Sequence, residues 1–211
     1  TGGRFDPCLG GAVAAWDVGR RREPLEDRRT RRWAGEALWR SLEVDVGRGR
    51  DARVRLHRPE ASLDLGGIAK GYGVDRAVEA LRRHGVRDAL VSAGGDLYAL
   101  GVSEDGDPWE VGVRDPSDPS SFLRVLRLED RAVATSGDYV AGFDHGGRRY
   151  HHLLDPGTGE PRRSPVRSLT VTAPTCMTAD AAATALFGSA RADAHDALAR
   201  VAPDAKIAHT V

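Results

Sequence analysis

Lys70 follows two glycines in the stretch Leu63-Asp64-Leu65-Gly66-Gly67-Ile68-Ala69-Lys70-Gly71-Tyr72, an order that suits an anion. Gly66 and Gly67 let the backbone come close to a ligand. The helix expected after them offers unpaired N–H groups and the positive end of its dipole, with Lys70 near. A diphosphate fits such a place; a tight strand-to-helix turn is the other reading. The stretch is neither a Walker loop, which needs GxxxxGK followed by Ser or Thr, nor a GxGxxG dinucleotide loop. Asp180 and Thr184 stand four apart in Thr178-Ala179-Asp180-Ala181-Ala182-Ala183-Thr184, so on a helix both project from one face. A carboxylate with a hydroxyl oxygen suits a hard cation such as Mg²⁺, which keeps its other positions for water and phosphate oxygens. Such a pair also arises by chance. His152 precedes the apolar pair Leu153-Leu154 and the turn signal Asp155-Pro156-Gly157. Its pKa near neutrality suits a general base, and an ordinary surface or core histidine is the alternative. Ser136, in Ala134-Thr135-Ser136-Gly137-Asp138-Tyr139, suits a ligand hydrogen bond or equally a polar turn.

The elements that must position these groups follow from periodicity. Residues 61–65 read as a strand broken by Gly66-Gly67, and 68–84 as a helix with Val74, Ala77, Val78 and Leu81 on one face and Gly85 as its stop. Residues 42–46, 54–56, 90–92, 98–102, 109–114, 122–128, 132–135 and 169–172 alternate as strands. Residues 179–187 and 192–201 read as helices. The Arg-rich stretch 20–32, interspersed with Glu23, Glu26 and Asp27, reads as a solvated helical face that Pro24 starts. Runs of strands broken by a few helices predict an α+β fold rather than a regular doubly wound sheet.

Composition narrows the function classes. Thirty-one basic and 31 acidic residues give zero net charge over 211 residues, without the basic excess of a duplex-DNA binder. Apolar residues at 40% and charged residues at 29% are ordinary for a globular domain. Cys8 and Cys176 form no CxxC or zinc spacing and read as two free thiols in partly buried places. No apolar run has the length of a membrane span, and no signal peptide opens the chain, which begins without Met. An acyl hydrolase has no support, because no GxSxG occurs.

Taken in order along the chain, these blocks resemble the ApbE family of flavin transferases. The resemblance begins at Thr1-Gly2-Gly3-Arg4-Phe5-Asp6-Pro7 and continues through residues 64–75, Ser92-Ala93-Gly94-Gly95-Asp96, 109–116, 134–139 and 152–161. It closes at 179–187, so it covers nearly the whole chain. It implies one α+β domain over residues 1–211, with related mixed sheets and packed helices and an FAD cleft near Gly66, His152 and Asp180. By the same resemblance, Phe5, Asp6, Asp64, Lys70 and Ser136 contact the flavin nucleotide. The Gly67 carbonyl, Asp180, Thr184 and the Ala183 carbonyl are the implied Mg²⁺ ligands. His152, not His151, is the implied base and lies against the flavin.

The implied activity is transfer of FMN from FAD to a Ser or Thr hydroxyl of an acceptor flavoprotein, with release of AMP. An FAD hydrolase needs the same metal and pocket, and a non-catalytic flavin-binding module is a further alternative. The resemblance also implies an upstream segment that supplies a sheet strand and one wall of the FAD pocket. The chain is therefore expected to be truncated at its N-terminus, so that residues 1–211 alone bind FAD weakly. Relatives are often anchored on the outer face of the cytoplasmic membrane. The sequence names no compartment, acceptor or oligomeric state.

Overall fold

The structure, a computed structural model, describes all residues except 36, 48–50 and 119; the side chain of Asp27, part of the charged stretch above, is also outside the described atoms. In chain order the elements are α1 (Gly10–Trp16), α2 (Asp27–Thr30), a 3-10 turn (Leu38–Ser41), β1 (Leu42–Val46), β2 (Ala52–Leu56), α3 (Ala69–Arg83), β3 (Ala89–Ala93), β4 (Asp96–Leu100), β5 (Trp109–Arg114) and β6 (Phe122–Leu128). They continue with β7 (Arg131–Gly137), β8 (Gly142–His145), β9 (Arg148–His151), β10 (Leu154–Asp155), β11 (Glu160–Pro161), β12 (Ser168–Ala173), α4 (Cys176–Leu186), α5 (Arg191–Val201) and β13 (Lys206–Thr210). Two compact units share the chain. One holds Thr1, Gly66–Tyr139 and Ser164–Val211; the other holds Gly2–Leu65 and Val140–Arg163.

The first unit is built on an antiparallel sheet in the order β13-β12-β7-β4-β3. Every residue of β12 is buried, as a central, β-branched strand should be. The hydroxyls of Thr135 and Thr170, directly paired across β7 and β12, meet at 2.9 Å. Hairpin β5–β6 joins this unit through a cluster of Ala99, Leu128 and Val133, with Trp109, Val111 and Leu126 packed on it. Helix α3 buries Gly71, Val74 and Val78; of the face that its periodicity predicts, Leu81 is half-buried and Ala77 is exposed, and Gly85 leaves the helix with φ of +80°. Helix α4 is capped by Thr175, whose side chain accepts from the Thr178 N–H. Its small residues are buried on several sides, and Gly71 lies so near it that a Cβ there would run into the Cys176 carbonyl. That close approach needs glycine.

The second unit has two apolar clusters. Cys8, Leu9, Ala12, Trp33, Leu38 and Ala61 form one, while Trp16, Val18, Leu25, Phe143 and Tyr150 form the other. The Trp16 indole donates to the Gly159 carbonyl at 2.8 Å, so its one polar atom is satisfied in the core. Hairpins β1–β2 and β8–β9 and the short pair β10–β11 complete it. Both cysteines are free and buried, and burial pushes both thiols up, which keeps them protonated and inert near neutrality.

Two expectations change. Residues 61–65 do not form a strand: Ser62 and Asp64 donate to the Cys8 and Pro7 carbonyls, but only Leu9 and Ser62 make a bridge. The partner segment turns into α1 at Gly10, which ends the ladder. The charged helix at 20–32 shrinks to Asp27–Thr30. Helix α1 and hairpin β8–β9 were not legible, since α1 opens on two glycines without a polar cap. The hairpin turn at Gly146-Gly147, with φ of +57° and +75°, is the left-handed pair that tight hairpins favour.

Candidate functional site

In the first unit, two carboxylates converge on one ammonium. The turn through Gly66 and Gly67 leads into α3 and sets Lys70 in its first turn, Asp96 opens β4, and Asp180 lies in the second turn of α4. Lys70 Nζ is 2.8 Å from Asp180 Oδ1 and 2.9 Å from Asp96 Oδ2. Both aspartates are 2% exposed, whereas the lysine side chain is 39% exposed. Asp180 Oδ2 accepts the Gly71 N–H at 3.1 Å, in the otherwise uncapped first turn of α3. Asp96 Oδ2, although within ion-pair distance of Lys70, has no aligned hydrogen bond.

The electrostatics follow from burial. Burial, and then the charge of Asp180, pushes the Asp96 carboxyl up to about 6, against the opposing pull of Lys70 and the Thr135 backbone. Burial is also the largest influence on Lys70 and weakens its ammonium. The close contacts with Asp180 and Asp96 outweigh it and hold the pKa above the ordinary lysine value. Two buried carboxylates therefore demand a cation between them.

Thr184, one turn beyond Asp180 on α4, has its hydroxyl 3.4 Å from that of Ser136 on β7. Ser136 is buried. The Ala183 carbonyl already accepts the Phe187 N–H that closes α4. Among the described residues, no group of three or more His, Cys, Asp or Glu gathers as a ready-made metal cage. The donors are nonetheless all oxygens, with the Asp180 carboxylate as the charged one, and Asp96 Oδ2 faces the Lys70 ammonium at 2.9 Å without an aligned hydrogen bond. These residues fit a hard cation that retains water and substrate oxygens, as Mg²⁺ does.

The second unit separates the two histidines. His151 is 4% exposed; its Nδ1 accepts the Leu153 N–H at 3.2 Å, and its Nε2 pairs with the Arg162 carbonyl at 3.1 Å. Since a carbonyl only accepts, Nε2 carries the proton, and both ring nitrogens serve the fold. His152 is half-buried, with Nδ1 3.4 Å from the Ala141 carbonyl. As a hydrogen bond, that long contact has the Nδ1–H as donor, since a carbonyl only accepts. The ring borders an apolar cavity of about 320 Å³ with Val13, Trp16, Val18 and Leu154.

Phe5 is half-buried beside Asp6. Asp6 accepts the Cys8 and Trp39 N–H groups, so its carboxylate organises the N-terminal loop. Half-buried Asp64 ties its backbone N–H to the Pro7 carbonyl. Arg162 donates to the carbonyls of Arg4 and Leu154, which brings the Phe5 loop beside the histidine segment. Burial pulls its guanidinium down to about 10.

Sequence reasoning assigned no role to Asp75, Asp96 or Arg162. Asp96 carried one local signal, an acidic residue directly after Gly94-Gly95 at a strand start. Gly94, with φ of +59°, lies under the Lys70 stem: a Cβ there would sit 2.9 Å from Lys70 Cδ.

A model of the ApbE family matches residues 1–207. A Treponema pallidum protein named FAD:protein FMN transferase is 38% identical over 203 residues, covering 89% of this chain and 55% of that protein. A Haemophilus influenzae protein of the same name is 32% identical over 192 residues, with the same shares. The chain thus spans about half the length of these curated relatives. The crystal structure of the ApbE protein from Thermotoga maritima superposes with a TM-score of 0.83 at 32% identity, covering 95% of this chain and 65% of that one. The flavin transferase ApbE from Vibrio cholerae gives 0.77 at 31% identity, covering 95% and 63%. Both likenesses agree with the α+β fold.

Proposed function

The chain belongs to the ApbE family, and from that premise we propose that it serves an FAD:protein FMN transferase, moving FMN from FAD to a Ser or Thr hydroxyl of an acceptor flavoprotein. The observation that supports this most is the buried Asp180 carboxylate facing Lys70 in the first turn of α3, directly after the glycine turn. Asp180, Thr184 and the carbonyls of Gly67 and Ala183 would hold Mg²⁺. Bound there, the cation supplies neutralisation of charge on the diphosphate.

The chain's own residues do the rest. Lys70 and the N–H groups at the start of α3 bind phosphate oxygens. Phe5, Asp6, Asp64 and Ser136 orient the flavin nucleotide. His152 Nε2 takes the proton from the acceptor hydroxyl, whose oxygen attacks the FMN-side phosphorus. The phosphorus–oxygen bond to AMP breaks, and AMP leaves with the electron pair. Such base assistance is typically worth ~10²–10⁴-fold.

Incubation with FAD, MgCl₂ and a flavin-carrier protein tests the reading by intact mass of the carrier. A mass gain equal to an FMN phosphoester, with one AMP per carrier, is expected. Release of FMN and AMP with an unmodified carrier would point to the hydrolase instead, and FAD binding without turnover to a binding module.

A further inference from the structure

The Lys70 ammonium occupies the place where the two carboxylates ask for a cation. Asp180 Oδ2 is committed to the Gly71 N–H, so Oδ1, the oxygen that Lys70 holds at 2.8 Å, is the one that can be exchanged. A cation taken up by Oδ1 therefore competes with that ammonium for the same oxygen. Asp96 Oδ2 stands 2.9 Å from the same ammonium without hydrogen-bond alignment, so it can gain a better bond if Lys70 leaves Asp180. The lysine stem lies across Gly94, where the missing side chain leaves room for it.

We propose that Lys70 is a tethered counter-ion for the cation position: its ammonium neutralises Asp180 and Asp96 until a divalent cation binds Asp180, and then stays on Asp96. Asp96 is accordingly a positioning residue, which keeps the displaced ammonium close instead of releasing it to solvent. The inference rests on the reading of Asp180 as a metal ligand. It adds that Mg²⁺ affinity is set by competition with a side chain of the protein itself. Removal of the competitor tightens metal binding, which is the reverse of what loss of a binding residue does.

Titration of MgCl₂ into the full chain without FAD, followed by calorimetry, reads this directly. Lys70→Gln should bind Mg²⁺ roughly tenfold more tightly than the unmodified protein, because a repelling charge has gone and both carboxylates remain. Asp96→Asn should bind about tenfold more weakly, because the ammonium is then devoted to Asp180. Lys70→Gln leaves two buried carboxylates without a counter-charge, so the Mg²⁺-induced rise in Tm should also exceed that of the unmodified protein. Should that variant not fold without Mg²⁺, Asp96→Asn retains the Lys70–Asp180 pair and carries the same test with the opposite sign. Equal or weaker binding by Lys70→Gln, or unweakened binding by Asp96→Asn, overturns the inference while leaving the metal reading in place. No binding by any of the three proteins overturns both.

Discussion

Asp75 on α3 accepts the Cys176 and Met177 N–H groups that open α4, at 2.7 and 2.9 Å, while Asp180 on α4 accepts the Gly71 N–H in the first turn of α3. Each carboxylate caps the other's helix. The two positive helix ends are brought together over Gly71, which has no side chain to hold them apart, and each end receives a negative charge where its dipole favours one. Asp180 therefore has two roles in one side chain, as cap through Oδ2 and as the facing partner of Lys70 through Oδ1. The position of the candidate metal ligand is tied to the packing of two helices.

Removal of the Asp75 cap should be costly although the residue lies outside the proposed chemistry. Asp75→Ala leaves two N–H groups without their partner at the start of α4, one of them on fully buried Cys176. A loss of about 1–2 kcal/mol is expected in urea denaturation. A change below about 0.3 kcal/mol would show that water satisfies these groups equally well.

Asp180→Ala should abolish Mg²⁺-dependent turnover, and its effect will not be confined to the metal. The good helix formers around it suggest a fold left largely intact, but the side chain is buried, caps α3 and neutralises Lys70. A stability loss of about 2–4 kcal/mol is expected, below the range for a fully buried pair because Lys70 is 39% exposed. Asp180→Asn retains the shape and should lose less stability, yet just as much turnover. Full turnover by either variant at saturating Mg²⁺ would remove Asp180 from the metal site.

The neighbouring histidines should separate along different axes. His152→Asn should cut transfer by ~10²–10⁴-fold with much of FAD binding retained. His151→Asn should lose about 1–3 kcal/mol of stability, because the Leu153 N–H and the Arg162 carbonyl lose a buried partner. Its folded fraction should turn over normally. Turnover and denaturant melts of both variants would decide, and equal loss of turnover from the two would mean that the base is misassigned.

Asp96 gives a pH signature in the metal-free protein. Its folded pKa of about 6 lies above the unfolded value of about 3.9, so the native state binds the extra proton between those limits. Its stabilising contribution is complete below the unfolded pKa and is lost as pH rises through about 6. Asp96→Asn should therefore gain stability relative to the unmodified protein as pH rises from about 4 to 7, on the order of 2 kcal/mol. Melts across that window without Mg²⁺ measure it, and a difference that stays flat would show that Lys70 fully compensates the buried charge.

Sequence alone determined several of the local elements and the order of the motifs. The stripe of Val74 and Val78, the four-residue step from Asp180 to Thr184 and the alternation in 109–114 and 122–128 each depend on a period of the backbone, which acts over a few residues. Their order along the chain was enough to indicate the family. Tertiary structure alone decided which group each side chain meets. Asp96 and Asp75 are short acidic residues at unremarkable local positions; their roles arise because β4, α3 and α4 pack together in the first unit. Residues 61–65 have a strand's composition but find a partner that turns into a helix at Gly10. His151 and His152 are adjacent and chemically identical. Only the carbonyls and N–H groups that the fold brings to each ring make one a structural bridge and leave the other bordering a cavity, because hydrogen-bond partners distant along the chain are not written in any local period.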